Sequence, residues 1–304
     1  MSKLQVICIG EALIDKIINK SDSNFRNYLG GAPANVVCAL RKLEVPAAFI
    51  GCLGDDEYGR EFIRLFQQLN INIDFLQIAK QASTRIVKVM RDESGDRSFS
   101  GFEVTKSSSF ADEMLDKLLL NTNIKNLKKL FLNTKYIVTG TNLLAFSQSS
   151  DALYFILDFA KKFKIKIIID VNWREIFWEN SNIDKDAKLK KVKKFLHHAD
   201  ILKLANEEAD LFFNTSDPSE ISKVLIKQPD VIITNGAKPI NWYLNGIKGS
   251  NEVVKHTSKI VDTTGAGDAF LAGLISRYYL NSNLDNHSKI KENIKFASVC
   301  GLLT

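Results

Sequence analysis

The sequence predicts an α/β protein with a mostly parallel sheet that is covered by helices on both faces. Short apolar runs rich in β-branched residues recur along the 304 residues, and segments with helical periodicity separate them. The runs are mostly apolar rather than alternating, which is typical of strands that are buried on both faces. A helix following each strand is the connection that parallel strands require.

The predicted strands cover residues 4–10, 47–51, 135–140, 166–171, 199–204 and 230–236. The predicted helices cover residues 34–43, 57–69, 114–132, 147–163, 188–197, 207–213 and 269–280. Residues 83–102 break this rhythm, because polar and apolar residues alternate on both sides of a turn at 92–96. We therefore predict an antiparallel hairpin there, and spacing alone leaves open whether it extends a sheet edge or covers a cleft.

Composition and charge indicate an ordinary globular protein. Hydrophobic residues make up 45% of the chain and charged residues 25%. The net charge of +6 is dilute for this size, and the lysine-rich segments alternate with apolar residues, so we predict no nucleic-acid partner. The sequence has neither a signal peptide nor an apolar run of ~18 residues, so we also predict no membrane partner.

The cysteines favour a cytoplasmic location. Cys8, Cys38, Cys52 and Cys300 lie far apart in apolar surroundings. They show neither a CxxC motif nor the spacing of a zinc site. We expect small, buried, reduced side chains.

The strongest local signal is the segment IVDTTGAGDAF at 260–270. Gly265 and Gly267 precede a helix, where backbone N–H groups and the helix dipole favour a phosphate. Asp268 lies at the same place. Taken alone, an Asp there most often caps the helix, but within a phosphate site it would accept the proton of an attacking hydroxyl. The chain carries neither a GxxxxGK[ST] nor a GxGxxG motif.

A second glycine-rich segment, YLGGAPAN at 28–35, also precedes a helix. Its small residues allow a ligand to approach the backbone, and Asn35 offers a donor and an acceptor to a sugar hydroxyl. A tight turn with an N-terminal proline explains the same segment equally well.

Together, GGAPANV at 30–36 and DTTGAGDAF at 262–270 resemble the two signature motifs of the PfkB, or ribokinase-like, carbohydrate kinases. Further segments agree, namely GEALID at 10–15, GTNLL at 140–144, DVNWREIFW at 170–178 and ITNGAKP at 233–239. The segments DVNWREIFW and GGAPANV most resemble those of the fructokinase branch of the family.

The resemblance extends over essentially the whole chain and implies one ribokinase-like domain, 1–304. The implied fold is a three-layer sandwich with a small β lid from about 12–30 and 83–104. The implied reaction transfers the γ-phosphoryl group of ATP to a primary hydroxyl of a sugar. D-fructose, giving fructose 6-phosphate, is the first choice. The alternatives are 2-keto-3-deoxygluconate, ribose or a nucleoside, or a catalytically weak regulatory member of the family.

The resemblance also assigns roles to residues. Asp268 matches the catalytic base, and the backbone anion hole matches Gly265, Ala266 and Gly267. Sugar-contacting positions match Asp15, Gly31 and Asn35. Arg174 resembles a basic residue near the substrate or the phosphates, with a surface ion pair to Glu175 or Glu179 as its alternative.

Nucleotide-binding positions match Thr234, Gly236, Thr264 and Gly267. Magnesium is expected to be held indirectly through Glu208, and Asp262 matches a position that helps hold a monovalent cation, with K⁺ as the candidate. A homodimer through the lid is also expected, because an open lid sheet has edges that need covering.

The chain departs from the family pattern at several places. Ala205 stands where relatives carry the Asn of an N-x-x-E element, Asn235 replaces a usual Leu, and Glu44 replaces a usual Gly. The sequence ends at ASVCGLLT, whereas relatives continue with a segment that frames the adenine pocket. These departures leave the organisation of magnesium open without excluding activity, and nucleotide binding is expected to be weaker if this ending is the natural one.

Overall fold

The computed structural model describes residues 5–19, 25–91, 97–103, 109–179, 184–254, 264–280 and 286–303. Among these residues the largest unit is an eight-stranded sheet with the order β14-β13-β12-β11-β10-β9-β1-β4. Its strands are β1 (Gln5–Ile9), β4 (Ala47–Ile50), β9 (Thr134–Thr139), β10 (Lys166–Asp170), β11 (Ile201–Ala205), β12 (Asp230–Asn235), β13 (Lys238–Leu244) and β14 (Ile247–Asn251). Strands β4 to β12 of this order pair in parallel, and β13 and β14 complete the sheet as an antiparallel edge.

Helices cover both faces of this sheet. Alternate residues of β1 point to opposite sides: Ile7 and Ile9 belong to one core, whereas Val6 and Cys8 belong to the other. The first core packs against α3 (Lys117–Thr122), α4 (Ile124–Leu132), α5 (Ser147–Lys162), α6 (Lys185–Leu196), α7 (Asn206–Phe213) and α8 (Pro218–Val224). The second packs against α1 (Ala32–Lys42), α2 (Glu57–Gln68), α9 (Ala266–Leu280) and α10 (His287–Leu302). This is the predicted three-layer α/β sandwich, and the fold class is confirmed.

A four-stranded sheet accompanies the large one in the described residues, with the order β3-β2-β7-β8. It consists of β2 (Leu13–Asn19), β3 (Phe25–Gly30), β7 (Ile86–Arg91) and β8 (Arg97–Phe102). Strands β7 and β8 pair antiparallel, as predicted for residues 83–102, and β2 runs parallel to β7. The turn predicted at 92–96 lies outside the described residues. A short parallel pair, β5 (Cys52–Gly54) with β6 (Gln77–Ala79), lies between β4 and β7 in sequence.

The predicted parallel strands agree with the structure to within two residues at each end. The helix predicted at 114–132 is wrong, because it is broken into a 3₁₀ turn at Ala111–Met114 and the helices α3 and α4. Asp116 caps the N-terminus of α3, since its carboxylate accepts the N–H of Leu118 at 2.6 Å.

Of the four cysteines, Cys8 and Cys52 are buried. The expectation of full burial is therefore wrong for Cys38 and Cys300, which are half-buried. Within the described ranges, no helix has the length and apolar character needed to cross a membrane.

Candidate active site

A cleft of about 360 Å³ opens at the carboxyl ends of the parallel strands. The chain proceeds from β1 to β4 in one direction and from β9 to β12 in the other, so the two directions diverge between β1 and β9. Such a point of divergence leaves a crevice at the strand ends in open α/β sheets. The four-stranded sheet forms the opposite wall, to which it contributes Leu13, Asp15, Val87, Val89 and Phe99.

The N-terminus of α9 points its backbone donors at this cleft. Gly265 adopts a φ of +76°, which favours glycine, and the helix begins at Ala266. The first N–H groups of a helix have no acceptor within it, and the helix dipole adds positive potential there. Thr264, Gly265 and Gly267 line the cleft, whereas Ala266 does not. The arrangement is suited to binding an anionic phosphoryl group.

A hydrogen bond joins the two glycine-rich motifs. Asn35 Nδ2 donates to Asp268 Oδ2 at 2.9 Å, across 233 residues of sequence. Gly31 precedes α1 with a φ of +96° and lines the same cleft, as do both partners of the hydrogen bond. Asp268 therefore lies within the cleft in a fixed orientation, beside the anion site.

The pKa of Asp268 is raised to about 7. Burial is the main cause, and nearby Asp170 adds to it, while the Asn35 hydrogen bond, Lys203 and Arg174 act in the opposite direction. A carboxyl group with a pKa close to neutral is well matched to accept a proton from a hydroxyl. The alternative reading of Asp268 as a simple helix cap does not explain its hydrogen bond to Asn35.

Glu11 and Asn142 form a polar pair at the ends of β1 and β9. Asn142 Nδ2 donates to Glu11 Oε1 at 2.9 Å, and both residues line the cleft. Only 2% of Glu11 is exposed, and burial raises its pKa to about 7. Asp15, predicted from the same GEALID segment, also lines the cleft, from β2. This end of the cleft offers several donors and acceptors to a polyhydroxylated ligand.

Arg174 lies at the boundary between the two sheets. Its guanidinium lies 5.2 Å from the ring centroid of Phe99 on β8, and both side chains line the cleft. In the described part of the chain it forms no ion pair with Glu175 or Glu179, so the surface alternative is not supported.

Glu208 holds the strand ends together. Its Oε1 accepts the N–H of Trp173 at 2.6 Å and its Oε2 accepts the N–H of Ala205 at 2.7 Å. Its pKa is raised, chiefly by burial and next by Asp170. Both Glu208 and Ala205 line the cleft. Glu208 thereby fixes the segment that carries Arg174 onto the start of α7.

The remaining residues predicted to bind the nucleotide or a cation differ in their position relative to the cleft. Thr234 lines the cleft at the end of β12. Gly236 is not among the lining residues and forms the turn between β12 and β13, with a φ of +53°. Asp262 lies outside the described residues.

A buried ion pair was missed by the sequence analysis. Lys203 Nζ donates to both carboxylate oxygens of Asp170, at 2.9 and 2.8 Å, and both residues line the cleft. Asp170 was part of a recognised segment, but Lys203 stood within a run predicted only as a buried strand. A lysine in a strand that is otherwise apolar was the available signal.

Comparison with known proteins is consistent with this geometry. Residues 3–304 match the model of the pfkB family carbohydrate kinases. The chain belongs to this family. Among its curated relatives, probable fructokinase-5 of Arabidopsis thaliana is 31% identical, over 97% of this chain and 90% of the relative. Fructokinase-2 of rice (Oryza sativa subsp. japonica) is 29% identical, over 98% and 87%.

Solved structures of fructokinases share the fold of this pfkB kinase. The Vibrio cholerae O395 enzyme with fructose, ADP and calcium ion bound is 25% identical with a TM-score of 0.80, over 99% of this chain and 92% of the other. The ATP-bound enzyme of Xylella fastidiosa has a TM-score of 0.82 at 24% identity, over 98% and 90%. Membership of the family makes this chain a sugar kinase that transfers a phosphoryl group to a hydroxyl.

The raised pKa of Asp268 predicts a pH dependence for a reaction in which this carboxyl group accepts the proton of the hydroxyl. A base acts when ionised, so kcat/KM is expected to fall about tenfold per pH unit below about pH 7 and to level off above it. The measurement is kcat/KM from pH 5.5 to 9 at constant ionic strength, with nucleotide affinity followed in parallel by calorimetry. A profile that is flat down to pH 5.5, with unchanged nucleotide affinity, would contradict the assignment of Asp268 as the base.

Proposed function

We propose that this protein is a fructokinase, which transfers the γ-phosphoryl group of ATP to the primary hydroxyl that yields fructose 6-phosphate. The observation that carries the reaction is the Asp268 carboxyl group, held by Asn35 beside the N-terminus of α9. The choice of fructose is supported by the names of the relatives and by the V. cholerae enzyme, whose structure contains fructose and ADP.

The chemistry follows from the relative position of base and anion site. The sugar hydroxyl would lie between the Asp268 carboxylate and the start of α9. As the oxygen forms its bond to the γ-phosphorus, its proton passes to Asp268, and the bond from phosphorus to the bridging oxygen of ADP breaks. The N–H groups at Gly265 and Gly267 would stabilise the negative charge on the equatorial oxygens. Asp268 then loses its proton to solvent.

Membership of the family implies ATP and a divalent cation, and we propose magnesium. Mg²⁺ is usually held by the phosphates of the nucleotide, by water and by one or two carboxylates. Within the described ranges no cluster of three or more His, Cys, Asp or Glu could hold a metal alone. Glu208, whose oxygens accept backbone N–H groups, fits an indirect contact through water. The ion would neutralise charge on the phosphates.

We also propose that the four-stranded sheet acts as a lid, which would exclude water when sugar binds.

Phe25 and Tyr28 on β3 are 55% and 47% exposed, which supports a homodimer in which a second copy covers the lid. The free thiols of Cys8, Cys38 and Cys52 support the proposed cytoplasmic location.

The test of the proposed function is sugar-dependent release of ADP from Mg-ATP in the presence of K⁺. The panel contains fructose, ribose, 2-keto-3-deoxygluconate, a set of nucleosides and a blank without sugar. We expect the highest kcat/KM with fructose. Preference for another acceptor would overturn the substrate and keep the kinase mechanism, whereas ATP binding without turnover on any acceptor would favour a regulatory protein.

A further inference from the structure

Lys203 is a cation within the buried parallel sheet. It lies on β11, where its neighbours Leu202 and Leu204 are fully buried, and its own side chain is only 8% exposed. Its partner Asp170 lies directly opposite on β10 and is equally buried. Both line the cleft at the carboxyl ends of these strands.

The stability of the fold does not explain this pair. Removing two charges from water costs several kcal/mol per ion, and buried ion pairs can often be replaced by neutral residues without loss of stability. A pair at this position in a site for an anionic ligand therefore points to a role in binding or catalysis.

The ammonium group lies beside the anion site. A Cβ atom added to Gly267 would lie 3.4 Å from Lys203 Nζ, so the ammonium lies next to the first turn of α9. Burial lowers the pKa of Lys203, but the interactions with Asp170, and with Glu208 and Asp268 beyond it, raise the pKa above its ordinary value. Lys203 is thus positively charged throughout the neutral range.

The hydrogen-bonding capacity of Lys203 leaves room for a ligand. An ammonium group has three N–H donors, and two of them serve the two oxygens of Asp170. Two residues further along the same strand, Ala205 contributes only a methyl group to the cleft. A charged contact from β11 to a phosphate can therefore come only from Lys203.

We propose that Lys203 Nζ contacts the terminal phosphate of the bound nucleoside triphosphate, and that Asp170 is the positioning residue that aims it. The inference rests on the proposed function, since it requires that the cleft bind ATP. It does not depend on which sugar is the acceptor. The ammonium would add to the backbone N–H groups at the start of α9 and stabilise charge on the phosphoryl group during transfer.

The test compares Lys203→Met with the double variant Asp170→Asn/Lys203→Met. The single variant leaves the buried Asp170 carboxylate unpaired and can fail to fold. The double variant removes both charges, and we expect its thermal unfolding midpoint to stay close to that of the unmodified protein. The control is Asp217→Asn/Lys248→Met, which removes an exposed ion pair outside the cleft and keeps a capping side chain for α8.

The first readout is calorimetric binding of ADP and of the non-hydrolysable ATP analogue AMPPNP, without sugar. The double variant is expected to bind ADP normally and AMPPNP at least about tenfold more weakly. Its kcat with the best sugar of the panel is expected to fall about 10²-fold or more, with the KM for that sugar unchanged. The control variant is expected to match the unmodified protein in every measurement.

Other outcomes overturn the inference. Recovery of near-normal kcat in the double variant would mean that the pair is structural. Equal losses of ADP and AMPPNP affinity would mean that Lys203 does not distinguish the terminal phosphate. Failure of the unmodified protein to bind AMPPNP would overturn this inference together with the proposed kinase reaction, whereas activity on a sugar other than fructose would overturn only the substrate.

Discussion

Replacing Asp268 by Asn is expected to lower kcat for sugar phosphorylation by about 10²- to 10⁴-fold, the range that a positioned general base contributes. The Asn side chain keeps an oxygen that can accept the hydrogen bond from Asn35 Nδ2, so the orientation of the site is preserved. Sugar affinity is expected to change little. Steady-state kinetics and calorimetric sugar binding measure the two quantities separately.

The matched control for this change is Asp186→Asn. Asp186 also lies in the first turn of a helix, α6, but its side chain is exposed and does not line the cleft. The kcat of the Asp186→Asn variant is expected to stay within about twofold of that of the unmodified enzyme, since isolated surface changes have small effects. Near-normal turnover in the Asp268 variant would refute the proposed mechanism.

The Asp268 variant is also not expected to lose stability at pH 8. The pKa of this carboxyl is raised to about 7 in the folded protein. Between about pH 4 and pH 7 the folded protein therefore holds a proton that the unfolded chain has already released. Its contribution to stability is therefore largest below about pH 4 and is lost as the pH rises through about 7. Asn removes this cost above pH 7, and the thermal unfolding midpoint should be equal or slightly higher there.

Gly31→Ala is expected to have the second largest effect, on both stability and activity. A Cβ atom at this position would lie 2.6 Å from the carbonyl oxygen of Glu11 and 3.1 Å from Cα of Ala12, and the φ of +96° is itself unfavourable for alanine. Because both contacts are backbone atoms, the segment after β1 has to move. We expect a loss of about 2 kcal/mol or more in the free energy of unfolding.

The same movement displaces Glu11, which follows β1, and Asn35, which lies on α1. Both residues line the cleft. Misplacement of about 1 Å can cost 10²-fold, so a fall of about 10- to 10²-fold in kcat/KM is expected. Chemical denaturation and steady-state kinetics measure the two losses.

Gly246→Ala separates backbone strain from the steric clash. Gly246 has a similar positive φ of +77°, but it lies in the turn between β13 and β14, and the nearest atom to an added Cβ is Tyr243 Oη at 4.0 Å. We expect a loss of about 1–2 kcal/mol in the free energy of unfolding and unchanged kinetics. If Gly31→Ala loses no more free energy of unfolding and no more activity than Gly246→Ala, the close approach to Glu11 is not important.

The parallel core was predictable because burial on both faces leaves a clear signal in sequence. The central residues of β9 and β10 are apolar without interruption, and each parallel strand was found from such a run. The antiparallel edge of the sheet, β13 and β14, was not predictable in this way. Strand β13 alternates buried and half-exposed residues and contains Pro239, so its residues do not form a continuous apolar run. Helix α10 was also missed, although Ile290, Ile294 and Ala297 carry a weak helical period.

The candidate site was predictable where a backbone requirement restricts the residue type. Gly31 and Gly265 occupy positive φ values, and such positions appear in sequence as glycine-rich motifs. The side chains that complete the cleft carry no such mark. Glu11 and Asn142 follow ordinary strands, Lys203 lies within one, and only the sheet order brings the three together. Proximity between distant strands cannot be read from local patterns.

The hydrogen bond from Asn35 to Asp268 also has a consequence for synthesis of the protein on the ribosome. Strand β1 lies between β4 and β9, so the N-terminal half can begin to build the sheet, but the proposed base and the proposed anion site come from the start of α9. A nascent chain therefore cannot possess a catalytic centre until residue 268 has left the exit tunnel. Until then, the apolar surface that packs against α9 is uncovered, and early release of the chain would expose it to aggregation.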